Sequence, residues 1–290
     1  MNSRTTSTLA FVLLASLGAA LPAVADGFDA PISDRSIKMN FEKKLGEMRD
    51  AEKCIDPAEL AKQLAERKRH AFALPDAPER DLDTASVYER CKDGVLCFGH
   101  IYKCDKCSKW HGNLAGGFVI SKDGIAVTNY HVMESDKAAA FGAMTLGGKV
   151  YPVKEVLAAS KADDLAIVQL EGDDFHPLPV ARGDEVGEDV TVISHPEGRY
   201  FTVSEGIIAR YFTARTKVGS NSPRIAITAD YARGSSGCPV FNEAGAVVGV
   251  VASTKSIYYS KKDGIDQNLQ MVIKSCIPSG SILKLLEEKK

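Results

Sequence analysis

The chain has 290 residues, 44% hydrophobic and 26% charged, with a formal net charge of −2. That length suits one large domain or two small ones, and the composition is that of an ordinary globular protein. The near-neutral balance gives no electrostatic case for nucleic acid or an anionic membrane as a partner.

Residues 1–25 read as a targeting segment. Arg4 makes a positive start, residues 9–20 are apolar but short for a bilayer span, and Ala23-Val24-Ala25 is a small-x-small cleavage site. The mature chain is expected to begin at Asp26, exported to the periplasm or secreted, with no membrane contact after cleavage. No later stretch is apolar enough for a spanning helix.

Ile37, Phe41, Leu45 and Met48 form a helical stripe over residues 34–50. Asp56-Pro57-Ala58-Glu59 then reads as a capping box starting a second helix that runs to about His70. Residues 26–85 are thus a charged, helical N-terminal extension, a packing collar on the main domain.

From about residue 86 short apolar runs alternate with turn signals, at 95–102, 117–121, 126–129, 166–170, 190–194, 206–212, 224–228, 247–252 and 269–273. Many short strands without helical pattern between them predict an all-β barrel or sandwich. Pro278 ends the last strand, and Ser279 is placed to cap a closing helix over 279–288.

The chemistry is carried by three stretches. Gly234-Ser235-Ser236-Gly237-Cys238-Pro239 holds a serine in a glycine-punctuated turn. Such a turn can expose Ser236 and aim the Gly234 and Ser236 amides into one concavity, as an acyl-transfer oxyanion requires. A serine needs a base, and the base needs an orienting carboxylate. Residues 125–132 end an apolar strand in His131, and Asp164 stands at the mouth of another, 165–170, with Asp163 as its rival. Ser236 would attack a carbonyl, His131 would shuttle the proton, and Asp164 would hold the imidazole in one tautomer.

These stretches resemble the trypsin-like serine proteases of the chymotrypsin fold, most closely the bacterial HtrA/Deg branch. Gly117-Phe118-Val119-Ile120-Ser121 with Val127-Thr128-Asn129-Tyr130-His131-Val132 is similar to that branch's histidine motif. Asp164-Leu165-Ala166-Ile167-Val168 is similar to its aspartate motif, and Gly234-Ser235-Ser236-Gly237-Cys238-Pro239 to its serine motif. The resemblance covers roughly residues 95–275. It implies two six-stranded barrels, about 86–175 and 176–277, with the seam near 172–185 and the site between them. It implies a serine endopeptidase acting on polypeptides without a cofactor or metal. A catalytically silent binding or chaperone-like module on the same fold is the alternative.

Three departures stand out. No PDZ domain, usual after this fold in the branch, is expected after the closing helix. Cys238 replaces a glycine, as a buried, inert thiol. Ser235 stands where digestive relatives carry an aspartate, so activation by a new N-terminus is not expected. By the resemblance, Asp230, six residues before Ser236, would floor the specificity pocket and favour Lys or Arg, with Ala252, Ser253 and Thr254 as one wall. Asp230 as a structural group, with preference for small aliphatic residues, is the competing reading.

Seven cysteines fall at positions 54, 91, 97, 104, 107, 238 and 276. Cys91, Cys97, Cys104 and Cys107 form a cysteine-rich insert. In an exported protein disulfides are the simpler outcome. Structural zinc on Cys104 and Cys107 with His111, Cys97 or Cys91 is the competing reading. Cys54 and Cys276 are a further candidate pair.

Overall fold

The computed structural model describes residues 31–74, 76–78, 81–215 and 219–286; the targeting segment expected over residues 1–25 lies outside them. Among the described residues, twelve strands close into two antiparallel barrels. The first contains β1 (Val95–Lys103), β2 (Trp110–Val119), β3 (Ile125–Thr128), β4 (Ala140–Met144), β5 (Val150–Ser160) and β6 (Leu165–Leu170), hydrogen-bonded in the order β1-β2-β3-β6-β5-β4. The second contains β7 (Asp189–Ser194), β8 (Thr202–Arg215), β9 (Asn221–Ile227), β10 (Pro239–Phe241), β11 (Val247–Lys262) and β12 (Ile265–Pro278), closing with the same connectivity.

Closure follows from two-residue side-chain alternation with apolar residues on both faces. Along β1, Val95 and Cys97 join one buried cluster while Leu96 and Phe98 join the other. Helices supply the cover that the outer face needs. α1 (Asp34–Asp50) buries Phe41 and Leu45 fully, and Ser33 caps it by accepting from Ser36 N. Its polar groups also dock: Asn40 Nδ2 donates to Gly148 O at 2.8 Å, and Glu42 Oε1 accepts from Gly112 N at 2.8 Å.

α2 (Pro57–Glu66) starts where the sequence places it, with Asp56 accepting from Ala58 N. Glu59 does not complete the capping box; it accepts from Gln63 Nε2 instead. The helix ends four residues before His70, because Arg67 turns to pair with Glu155 and Val156 O of β5. A third helix, α3 (Thr84–Cys91), capped by Asp83, straddles the end of the helical extension expected at residue 85. β4, β5 and β10 also lie outside the strands expected from sequence.

The closing helix, α5 (Ser279–Leu285), has Pro278 rather than Ser279 at its cap position. Ser279 is buried inside the helix with its hydroxyl unpaired. The chain crosses between barrels over 171–188. Leu178 N donates to Val119 O of the first barrel, and three residues later Ala181 N donates to Val247 O of the second.

Candidate active site

The candidate site draws on elements of both barrels. β3 ends at Thr128, and one helical turn, α4 (Tyr130–Met133), begins after the extended Asn129. Thr128 and Asn129 are fully buried, so the chain emerges from the barrel only at His131. Asp164 precedes β6 in the left-handed region, φ 63°, which is strained for a residue with a Cβ. The strain is held by two bonds to its carbonyl, from Tyr130 N at 3.1 Å and Asn129 Nδ2 at 3.0 Å.

That backbone conformation turns the carboxylate onto His131. Asp164 Oδ1 accepts from the His131 backbone N–H at 3.0 Å, and Oδ2 lies 2.8 Å from His131 Nδ1. A carboxylate on that side keeps the proton on Nδ1 and leaves Nε2 as an acceptor. The rival carboxylate, Asp163, faces elsewhere: it accepts from Ser160 Oγ at 3.0 Å and from Ser222 Oγ of the second barrel at 2.6 Å.

Ser236 sits in a turn with Gly234 at φ 97° and Gly237 at φ 87°, both in the region that glycine tolerates. The turn is fixed by alternate amides. Ser235 N donates to Ala232 O, and Gly237 N to Val251 O. The alternating amides, of Gly234 and Ser236, have no acceptor among the described residues. Arg233 O accepts from Glu197 N at 2.7 Å. A trans peptide then sends the Gly234 N–H the opposite way. His131, Gly234 and Ser236 line one cavity of about 710 Å³, together with Asn113, Ala115, Glu197 and Tyr200. No hydrogen bond joins Ser236 Oγ to His131 among the described residues.

The turn is docked on the first barrel through Gly116 of β2. Gly116 N donates to Ser236 O at 2.7 Å, and Thr128 Oγ1 donates to Gly116 O at 2.8 Å. A Cβ at Gly116 would fall on Cys238 Sγ and within 2.8 Å of Cys238 N. Cys238 is fully buried, and burial pushes its thiol well above the ordinary range.

His195 was not among the sequence candidates. It follows β7 and is 1% exposed in the seam. Its Nε2 donates to Leu96 O of the first barrel at 3.1 Å, and its Nδ1 accepts from Phe201 N at 3.1 Å. Burial holds its pKa down to about 4. The signal was present in the sequence, a histidine directly after an apolar strand as at His131, but the following Pro-Glu-Gly reads as a plain turn.

The expected specificity residues are placed apart. The Asp230 side chain is 88% exposed and paired with Lys274 Nζ at 3.1 Å. Between that loop and the expected wall lies the buried phenol of Tyr231, whose hydroxyl is 2.9 Å from both Ser253 O and Ser275 O. Of the wall residues, Ala252 and Ser253 instead line a recess with His131 and Asp164. Thr254 is exposed on β11, paired with Lys274 of β12.

The cysteine insert also separates, and all seven cysteines are free thiols. Cys91 packs under the Gly245 turn, its Sγ 3.5 Å from Gly245 O, with burial raising the thiol to about 12. Cys97 is locked in β1 opposite Gly116 and Met144. Cys276 is buried beside the Tyr231 hydroxyl, at 3.6 Å. Only Cys104 and Cys107 of the insert stay together, and His111 joins them.

Comparison with known proteins agrees with this architecture. Residues 115–250 match the trypsin-like peptidase domain. A "Probable periplasmic serine endoprotease DegP-like" of Marinomonas sp. (strain MWYL1) is 29% identical over 181 residues, 61% of this chain and 36% of that protein. The "Serine endoprotease DegS" of Haemophilus influenzae is 29% identical over 181 residues, 61% of this chain and 51% of that protein. The alignments thus span about a third to a half of these relatives' length. The solved structure titled "HtrA-type protease AlgW with decapeptide" shares the fold, with a TM-score of 0.54 and 20% identity over 68% of this chain and 64% of that one. The chain therefore carries a trypsin-like peptidase domain over residues 115–250, similar in sequence to DegP-like and DegS serine endoproteases and in fold to an HtrA-type protease.

Proposed function

We propose that this chain is an exported serine endopeptidase that hydrolyses polypeptides through an acyl-enzyme on Ser236. The observation that carries the reading is that His131, bonded to Asp164 on its far side, lines one cavity with Ser236 and Gly234, whose two amides have no acceptor among the described residues. His131 Nε2 takes the Ser236 proton as Oγ adds to the scissile carbonyl, and Asp164 stabilises the imidazolium that results. The oxyanion forms between the Gly234 and Ser236 amides, whose fixed orientation needs no rearrangement as charge develops. His131 then gives its proton to the leaving amine, and water repeats the sequence on the ester. The Ser236–His131 hydrogen bond forms as substrate closes the cleft, as catalytic contacts commonly tighten in the Michaelis complex.

Primary specificity favours small apolar residues. What supports this is that the Tyr231 phenol is buried against Ser253 and Ser275, and that Asp230 is exposed and paired with Lys274, so it offers no buried carboxylate to Lys or Arg. Export rests on the N-terminal residues and on the periplasmic assignment in the DegP-like relatives' names. The test is cleavage of an unfolded protein substrate by the mature chain. Turnover lost in Ser236→Ala supports the reading; peptide binding without turnover in the wild type replaces it with the silent binding module.

A further inference from the structure

The tip of the β1–β2 hairpin carries chemistry that peptide hydrolysis does not use. β1 and β2 pair in register to their ends, Tyr102 opposite His111 and Lys103 opposite Trp110. The loop beyond them returns Cys104 and Cys107 toward His111. Cys104 Sγ lies 3.5 Å from Cys107 Sγ, and His111 Nε2 lies 3.3 Å from the first sulfur and 3.0 Å from the second. Three soft or borderline donors therefore face one point.

We propose that Cys104, Cys107 and His111 bind one zinc ion, with water as the fourth ligand. A tetrahedral zinc with bonds of about 2.3 Å to sulfur and about 2.0 Å to nitrogen sets sulfur atoms about 3.8 Å apart and sulfur to nitrogen about 3.5 Å apart. The three observed separations are slightly tighter than this frame and share its shape. A disulfide needs about 2.05 Å between sulfurs and has no use for a third group directed at both. Thiolate and imidazole donors select zinc over magnesium or calcium, which take oxygen. Cys107 is exposed, so the remaining position opens to solvent.

The frame is built before metal arrives. Trp110, next to His111, packs on α1 at Gly46, where a Cβ would overlap the indole ring. Its Nε1 donates to Asp50 Oδ2 at 3.4 Å, and Lys103 Nζ stands 4.4 Å over its ring. On the other side, Gly112 N is held by Glu42 Oε1. His111 is thus fixed between two anchored residues, and zinc orders only the loop. The same strand continues into Gly112–Ala115, one wall of the cavity at Ser236, so the ion braces that wall from its far end. The proposal does not depend on hydrolysis, and Ser236→Ala is to bind zinc as the wild type does.

The experiment uses the reduced, mature chain and zinc alone. One equivalent is expected by elemental analysis, with hydrogen exchange over residues 102–111 slowed on loading. Competition with a chromophoric chelator is expected to show binding at least about a hundredfold weaker in Cys107→Ser and in His111→Gln, since even outer-shell changes at zinc sites cost 10–100-fold. Cys54→Ser, outside the cluster, keeps wild-type affinity. Cys107 is exposed and its variant tolerates the fold, so loss of binding there is not loss of structure. The proposal is overturned if reduced wild type holds zinc no more tightly than His111→Gln. It is equally overturned if non-reducing mass analysis shows a Cys104–Cys107 disulfide that forms in the presence of excess zinc.

Discussion

His131 and His195 each follow an apolar strand, one in each barrel, and the fold puts them to opposite uses. His131 emerges into the cleft with a carboxylate at Nδ1 and Nε2 free to accept. His195 is sealed between the barrels with Nε2 donating to a carbonyl and Nδ1 accepting an amide. A carboxylate partner stabilises the imidazolium, whereas a buried amide donor opposes it. On the proposed function the same side chain is a proton carrier at one position, and it is a neutral bracket at the other. What decides is the polarity of the partner and access to water, not the local sequence.

The largest expected effects lie on the His131 side. Ser236→Ala and His131→Ala are each expected to lower kcat by about 10^6-fold, because triad members act as a unit. Asp164→Asn is expected to cost about 10^4-fold by permitting the wrong tautomer. Urea unfolding midpoints are to stay near wild type for Ser236→Ala, separating chemistry from stability. If instead Asp163→Asn shows the Asp164 phenotype, the pairing described for the two carboxylates is wrong.

Next come the contacts that join the two sides. Gly116→Ala places a methyl on Cys238 and is expected to destabilise by about 1–3 kcal/mol through overpacking. Because Gly116 N holds Ser236 O, kcat is expected to fall further than stability alone explains. Circular dichroism melts with single-turnover kinetics check both; wild-type kinetics in the variant would mean the serine turn is held by other contacts.

His195 sharpens the comparison through pH. Its pKa is about 4 in the folded chain against about 6.5 unfolded, so the unfolded chain binds the extra proton between those values. Stability from this group is complete above pH 6.5 and declines as pH falls toward 4. The loss reaches about 3 kcal/mol by pH 4. Urea titrations across this range should show it, and a seam variant, His195→Gln, should flatten that segment of the curve. The smallest effect is expected at Asp230: Asp230→Ser should leave the ranking of residues before the cut unchanged, with Val and Ala ahead of Arg and Lys in a peptide panel.

The fold class and the three motifs were legible because each is local. Apolar alternation specifies strands, and Gly-Ser-Ser-Gly specifies a tight turn. What escaped depends on distant partners. β4 is Ala-Phe-Gly-Ala-Met, without a β-branched residue, and extends because Gly142 must pass under Leu45 of α1. β5 contains Pro152, a breaker in isolation, yet its carbonyl is used by Glu171 N. Asp230 invited a specificity role by spacing alone, but Lys274, 44 residues later, claims its charge. His195 and the Glu197–Arg233 bond that orients the Gly234 amide likewise join segments far apart in the chain.

The central claim is that His131, Asp164 and Ser236 make one activated nucleophile. It is tested most directly by a fluorophosphonate probe on the mature chain, with the adduct located by peptide mass mapping. The account predicts stoichiometric labelling of Ser236 in the wild type, none in Ser236→Ala, and labelling at least about a thousandfold slower in His131→Ala, where the serine lacks its base. Labelling of Ser235 instead, or of Ser236 at the wild-type rate without His131, would contradict it.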